Sequence, residues 1–311
     1  MIHLFDTASG HELRRWDGHE DWTSALCFFR DRRLASFGRD SKFKIWDLPG
    51  AVLKDSVPAL EGTELLKMVR FGDTCLALQI ENDSGVALRN VQNAQLHFGF
   101  ALYKASRHTI CLSSDAQRLA VASRIDLHVT DVSSGKTIRK FDVPERLRNP
   151  NFHFSSSKGL SSVCFSPDHE WVAISDVNTI DVWNLASGRH SQLQPPELCA
   201  QAIQFSPDGR TLIMSGYGKT LAWNPHEKSP ATRFVDTTKT HAAWNIEIEH
   251  SPCGKLFALG QCSTVKVFDS ATMKMGWEAS LDQYGYDTFA LAFSPDSSQL
   301  AVGRATTLTI F

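Results

Sequence analysis

The chain lacks any uninterrupted apolar run approaching the ~18–20 residues that cross a bilayer as a helix, which excludes a helical membrane protein. It also lacks net charge. Its 32 Lys+Arg stand against 34 Asp+Glu, −2 at pH 7, so there is no global electrostatic reason to bind the phosphate backbone of a nucleic acid. The N-terminal string MIHLFDTASG has neither the charged start, the apolar stretch nor the small-residue cleavage site of a signal peptide. None of the motifs HExxH, GxSxG or GxGxxG occurs, and the 12 His are scattered without metal-ligand spacing. Asp and Glu fall mostly in turns, so no acid/base pair can be nominated. Helical periodicity is missing over any useful length. With 42% hydrophobic residues in 311, the chain is nonetheless far too apolar to be disordered and can bury a substantial core.

The 7 cysteines (27, 75, 111, 164, 199, 253 and 262) include no C-x-x-C pair and are odd in number. Cys27, Cys111 and Cys164 sit in the similar apolar strings LCF, ICL and VCF, so they are expected as reduced, Val-sized core residues. A reducing compartment, and hence the cytoplasm, is the expected location. Gly216 to Thr220, GYGKT, resembles the end of a phosphate loop, but Ile213 stands where a glycine is needed and the strand LAWN follows instead of a helix.

What is present is repetition. FSPD at 165–168, FSPDG at 205–209, HSPCG at 250–254 and FSPDS at 293–297 each lie between two short apolar runs, and CFFRDRRLAS, VRFGDTCLAL and CLSSDAQRLAV fit the same frame. The third turn position falls at Asp31, Asp73, Asp115, Asp168, Asp208, Cys253 and Asp296, at intervals of 42, 42, 53, 40, 45 and 43. A second marker, a strand ending in an aromatic-polar step or a relic of one, ends at Asp47, Asn90, Asp131, Asn184, Asn224 and Asp269, at intervals of 43, 41, 53, 40 and 45. Two markers that keep the same irregular spacing define one repeated unit.

Residue types give the unit its shape. Ser-Pro-Asp-Gly is a type I turn, because Pro presets φ and the polar side chains satisfy local backbone groups. The flanking runs of Val, Ile, Phe and Leu have strand length and composition. LASFGRDSKFKIWD reads as strand, tight loop and a strand alternating Phe43 and Ile45 with Lys42 and Lys44, and strings such as SSGKTIRKF supply a fourth, more polar strand. Such a four-stranded sheet cannot bury both faces alone, and packing the sheets face to face covers them.

These units resemble the WD40 repeat family, whose members carry GH and WD marks at this period. The resemblance extends over essentially the whole chain and implies an all-β, seven-bladed propeller. The expected blades are 18–52, 65–100, 107–142, 160–194, 200–235, 244–280 and 288–311, the last closed by the N-terminal strand 11–16, with an insertion at 144–159. IHLF at 2–5 and LTIF at 308–311 both read as third strands of that closing blade, which favours a chain cut from a longer polypeptide. The unit from Gly18-His19 to Trp46-Asp47 matches the family pattern nearly residue by residue. The resemblance implies that His19, Ser36, Asp40 and Trp46 form a buried hydrogen-bond chain in which the histidine is structural. The other units depart from it. Leu34 to Trp46 spans 12 residues, but the equivalent step ending at Thr130, Trp183 or Trp223 spans only 11, and Cys262 holds the Asp place in the sixth. Those units must rely on apolar packing.

The family implies a non-catalytic protein–protein interaction scaffold that docks a peptide or partner domain on its loop face, with no cofactor or metal. Arg39, Lys219 and Arg304 fall in loops of that face, an arc suited to an acidic or phosphorylated segment. Glu81, Asp83 and Asp176 occupy equivalent loops elsewhere. The insertion interleaves cations and aromatics, with Arg146, Arg148, Phe152, His153, Phe154 and Lys158, the residue types of binding hot spots. Trp244, Tyr284 and Tyr286 lie in other blade-to-blade connections. The expected propeller is a monomer within a larger assembly or longer polypeptide. Two alternatives stay open: a ligand-binding or enzymatic propeller using the central channel, and RNA or DNA contact through the basic arc.

Overall fold

The computed structural model describes the chain except for residues 7, 8, 10, 60–62, 82–84, 102–109, 124–125, 144–161, 177–178, 195–199, 217–218, 228–232, 237–245, 262–263, 281–288 and 305–306. Among the described residues every regular element is a β-strand, and no helix is long and apolar enough to cross a membrane. A hairpin of β1 (Ile2–Phe5) and β2 (Glu12–Trp16) opens the chain. Six four-stranded meanders follow. They are β3 (Thr23–Phe28), β4 (Arg33–Gly38), β5 (Lys42–Asp47) and β6 (Val52–Pro58); then β7 (Thr63–Phe71), β8 (Thr74–Glu81), β9 (Gly85–Asn90) and β10 (Leu96–Ala101). The third comprises β11 (Ile110–Leu112), β12 (Arg118–Ala122), β13 (Asp126–Asp131) and β14 (Thr137–Asp142), and the fourth β15 (Ser162–Phe165), β16 (Trp171–Ser175), β17 (Ile180–Asn184) and β18 (His190–Leu193). The fifth holds β19 (Ala200–Phe205), β20 (Leu212–Gly216), β21 (Lys219–Trp223) and β22 (Arg233–Asp236), and the sixth β23 (Ile246–His250), β24 (Leu256–Gln261), β25 (Thr264–Asp269) and β26 (Met275–Ser280). A three-stranded sheet of β27 (Phe289–Phe293), β28 (Leu300–Arg304) and β29 (Thr307–Ile310) ends the series.

In the fourth to seventh units the turn between the first two strands is built the same way. The N–H of the fourth turn residue donates to the serine carbonyl, at 2.9 Å for His169 and 2.8 Å for Gly209, Gly254 and Ser297. That fourth residue has a left-handed φ in all four turns, 58° at His169, 70° at Gly209, 72° at Gly254 and 64° at Ser297. In the fifth unit Ser206 Oγ donates to Asp208 (2.6 Å) and accepts the Thr211 N–H (3.0 Å), while Asp208 accepts the Arg210 N–H (3.0 Å). The seventh repeats this with Ser294, Asp296, Ser298 and Gln299. Ser and Asp thus recur at these positions because each satisfies backbone N–H groups that the turn strands.

Burial follows strand position. The second and third strands of the fourth unit, WVAIS and IDVWN, are buried at every residue, whereas the fourth strands β6 and β14 are almost wholly exposed. A middle strand is covered on both faces by neighbouring sheets and reads as a continuous apolar run; the outer strand is solvated and reads as polar. Phe37, Phe43 and Ile45 of the first sheet thus share a core with Met68, Cys75 and Ala77 of the second, and Ala173 and Val182 of the fourth share one with Ile203, Leu212 and Leu221 of the fifth. Each such Leu, Ile or Phe contributes about 1.5–3 kcal/mol of burial.

The chain divides into two compact units: Met1–Arg107 with 115–118 and 130–137, and the remainder from His108 to Phe311. In the first, the sheet of β3 to β6 reaches Pro58, past the expected limit at residue 52, because Val52–Pro58 is its fourth strand. Glu12–Trp16, expected to close the last sheet, pairs instead with Ile2–Phe5, in register from Ile2 opposite Trp16. A local partner was available: Ile2 buries against Leu34 and Trp46, and His3 bonds Glu12 at 2.7 Å. In the second unit Leu300 and Phe311 exchange two backbone hydrogen bonds of 2.9 Å at the end of the three-stranded sheet.

Candidate functional site

The first four-stranded sheet carries a polar chain through an otherwise apolar interior. The Trp46 indole N–H donates to Ser36 Oγ (2.9 Å), Ser36 Oγ lies 2.8 Å from His19 Nε2, and His19 Nδ1 lies 2.8 and 3.0 Å from the two Asp40 oxygens. The side chains of His19 and Asp40 are 0% and 5% exposed. Burial lowers the His19 pKa and outweighs the raising effect of its bond to Asp40. Burial works against ionisation of Asp40 too, but the hydrogen bond from His19 and those from the Glu20 and Lys42 N–H groups hold its carboxyl below the ordinary range. Both directions fit one state: a neutral imidazole that donates Nδ1–H to ionised Asp40 and accepts the Ser36 hydroxyl at Nε2. Each histidine nitrogen is then satisfied, as a buried ring requires.

This chain fixes two loops. Asp40 lies in the β4–β5 turn, and by accepting the Glu20 N–H (3.3 Å) it ties that turn to the connection between β2 and β3. The Arg39 N–H donates to the Trp22 carbonyl (2.9 Å), and Lys44 Nζ donates to the Gly18 carbonyl (2.8 Å). The result is a paired surface feature. Trp22 is 73% exposed, with the Arg39 guanidinium 5.2 Å from its ring centroid. Arg39 belongs to the expected arc, but Trp22 was not among the residues singled out. Its signal was available: a tryptophan in the polar string GHED-W has no apolar neighbour to pair with in a strand.

Gly38 makes the chain possible. A Cβ there would stand 2.4 Å from the His19 ring and 2.8 Å from Asp40. Gly38→Ala is therefore expected to push the imidazole off its partners and destabilise the fold by about 2–4 kcal/mol, the cost of stranding buried polar groups. Urea melts check it against Gly276→Ala, where the nearest atom is 3.9 Å away and the change should stay within about 0.5 kcal/mol.

The fourth and fifth sheets differ at the Ser36 position, as their registers show. Leu34 faces Trp46 in the first sheet as Val172 faces Trp183 in the fourth and Leu212 faces Trp223 in the fifth, but the residue two positions beyond the first partner is Ser36, Ile174 and Met214 respectively. Trp223 Nε1 is consequently buried without a hydrogen bond. Trp183 stacks between Phe141 and His190 instead, with ring centroids 5.6 and 4.9 Å away, and Phe268 stacks on Phe257 at 5.0 Å.

Lys219 is half-buried at the start of β21, opposite Asp236 in the ladder and already engaged in interactions of its own. Arg304 is the last residue of β28. Arg146, Arg148, Phe152 and Phe154 of the insertion, with Trp244, Tyr284, Tyr286 and Cys262, lie outside the described residues. Of the cysteines expected in the core, Cys164 is buried while Cys27 and Cys111 are only partly so, and Cys253 is exposed. Cys253 replaces the turn aspartate, where hydrogen bonds from Ser251 and Ser297 lower its thiol to about 7.

Comparison with known proteins bears on the same stretch. Residues 10–47 match the WD domain, G-beta repeat family model. No curated protein matches the chain. The matched segment contains the whole polar chain from His19 to Trp46, and the sheets that follow repeat its meander at the same period. WD40 propellers generally serve as scaffolds that bind proteins or peptides. The fold is all-β, built of four-stranded meanders that recur at the period of the WD40 repeat, and over residues 10–47 the chain is similar to the WD40-repeat family.

Proposed function

We propose that this protein is a non-catalytic docking platform of the cytoplasm, and that its first unit binds an acidic or phosphorylated peptide segment through Trp22 and Arg39. The observation that carries the reading is a large aromatic ring left 73% exposed beneath a guanidinium, on loops held by a buried hydrogen-bond chain. Exposure of a tryptophan forfeits its burial energy, and a partner that covers it recovers that energy. Arg39 adds a planar fork for a carboxylate or phosphate, and the preordered loops reduce the entropy lost on binding.

Affinity capture followed by mass spectrometry tests the proposal with the intact chain, Trp22→Ala, Arg39→Glu and a chain lacking residues 145–158. Peptides from the captured partners are then titrated by calorimetry. Trp22→Ala and Arg39→Glu should each weaken the same acidic or phosphorylated peptide by more than about 10-fold, the loss expected of an interface hot spot. An unchanged partner list in both variants would remove this surface from consideration. Loss only on deleting 145–158 would move the site to the insertion.

A further inference from the structure

Two thiols from different sheets meet in the first compact unit. The Cys75 thiol, on β8, donates to Cys27 Sγ, on β3, at 3.3 Å. The two residues lie 48 apart in sequence and belong to the first and second sheets, at the apolar core around Phe37, Phe43 and Met68 that these sheets share. Their surroundings are unequal. Cys75 is 0% exposed, whereas Cys27 is partly exposed on the edge strand of its sheet, between Leu26 and Phe28, themselves 48% and 53% exposed. Arg70 stands opposite Cys75 in the β7–β8 ladder. The hydrogen bond from Cys75, together with the charge of Arg70, lowers the Cys27 thiol, and the same bond with burial raises that of Cys75.

We propose that Cys27 and Cys75 form a peroxide-responsive pair whose disulfide staples the first sheet to the second. Cys27 is the thiol that an oxidant reaches, and its sulfur is the one that receives a hydrogen bond, which stabilises a thiolate. Attack of that thiolate on hydrogen peroxide breaks the O–O bond, leaves a sulfenic acid at Cys27 and releases hydroxide, which takes up a proton to give water. Cys75 Sγ then attacks Cys27 Sγ, the sulfenic oxygen departs as a second water and the S–S bond closes. In sum, two thiols and one peroxide give one disulfide and two waters. Because the partner thiol is already in contact, the sulfenic acid is resolved before a second peroxide can carry it to the irreversible sulfinic state. Reduction by an ordinary dithiol reverses the step.

The test uses the full chain. Reduced protein is exposed to hydrogen peroxide, free thiols are alkylated and the non-reduced digest is mapped by mass spectrometry. Cys253, exposed and with its thiol at about 7, serves as the internal reference for peroxide reaction. The expected product is a dithiothreitol-reversible Cys27–Cys75 peptide pair two hydrogens lighter than the reduced pair, with a higher urea midpoint for the oxidised protein. Cys27→Ser and Cys75→Ser should each abolish the linked peptide, and Cys111→Ser should leave it intact. The wild-type map alone keeps the proposal falsifiable if a serine variant fails to fold. Cys27 recovered as sulfinic acid, Cys27 linked to any other cysteine, or both thiols still reduced once Cys253 has reacted would each overturn it.

Discussion

Trp46→Phe is expected to cost about 1–3 kcal/mol more than Trp223→Phe, although both tryptophans are nearly fully buried, 5% and 2% exposed. The two changes remove the same ring volume but leave different things behind. At Trp46 the indole N–H holds Ser36 Oγ at 2.9 Å, and Ser36 in turn holds His19, so phenylalanine leaves a buried hydroxyl oxygen without its donor and loosens an imidazole. At Trp223 the indole N–H has no acceptor, so phenylalanine removes an orphaned donor along with the ring. Truncation to alanine should keep the order, Trp46→Ala costing more than Trp183→Ala or Trp223→Ala, on top of the ~3–5 kcal/mol that any buried tryptophan loses. Urea melts of the variants decide it. Equal losses would mean that the first sheet, like the others, rests on apolar packing.

Replacing His250 by phenylalanine should stabilise the protein at pH 7 by about 1–3 kcal/mol and flatten its acid response. His250 ends β23 in HSPCG, where FSPD, FSPDG and FSPDS place Phe165, Phe205 and Phe293. It fills a phenylalanine slot, 8% exposed and 5.9 Å from the Phe257 ring, and neither ring nitrogen makes a well-formed hydrogen bond. Burial lowers its pKa from 6.5 to about 4, while Asp208 and the Gln204 backbone oppose the change and lose. The neutral ring is therefore favoured on folding. Its stabilisation is complete above pH 6.5 and is lost as the pH falls towards 4, where the unfolded chain binds a proton that the folded one refuses. At about 1.4 kcal/mol for each pH step between the two values, the loss over that window is about 3 kcal/mol. His19, lowered in the same direction, adds to the same window and stays in the variant. Asp126 and Asp296, held at about 2, act only below their ordinary value of 3.8 and do not overlap it. Urea melts from about pH 7 to about pH 4 should show the His250→Phe protein losing about 3 kcal/mol less than the wild type. Parallel curves would contradict a buried, neutral ring.

The repeat was legible in the sequence because its marks are local. Ser-Pro-Asp at a turn, an alternating strand such as KFKIWD and a continuous run such as WVAIS are each set by backbone geometry within a few residues. The His19–Ser36–Asp40–Trp46 chain came from the resemblance of the string Gly18 to Asp47 to a known repeat, and not from the residue types alone: His19 and Asp40 lie in loops, and only the folded first unit brings them to Ser36 and Trp46. What could not be read depends on a choice of distant partner. ELRRW has the composition of an outer strand wherever it pairs, and only the burial of Ile2 against Leu34 and Trp46 shows its pairing with IHLF. Cys27 and Cys75 look like two unrelated core residues until the sheets are packed. Trp22 lies in a string with no strand pattern, so its exposure follows from the Asp40 bonds that set the loop's course rather than from its neighbours in sequence.

One buried polar chain, running from Trp46 to Asp40, thus both locks the first sheet and sets the loops that present Trp22 and Arg39. The decisive check is a long-range proton–nitrogen correlation spectrum of the histidine rings, recorded at neutral pH. His19 should be the neutral tautomer protonated at Nδ1, with no titration step near its ordinary value of 6.5, and the Trp46 indole N–H should exchange far more slowly than that of Trp22. A ring protonated at Nε2, a positively charged His19 at neutral pH, or a Trp46 N–H exchanging as fast as Trp22's would contradict it.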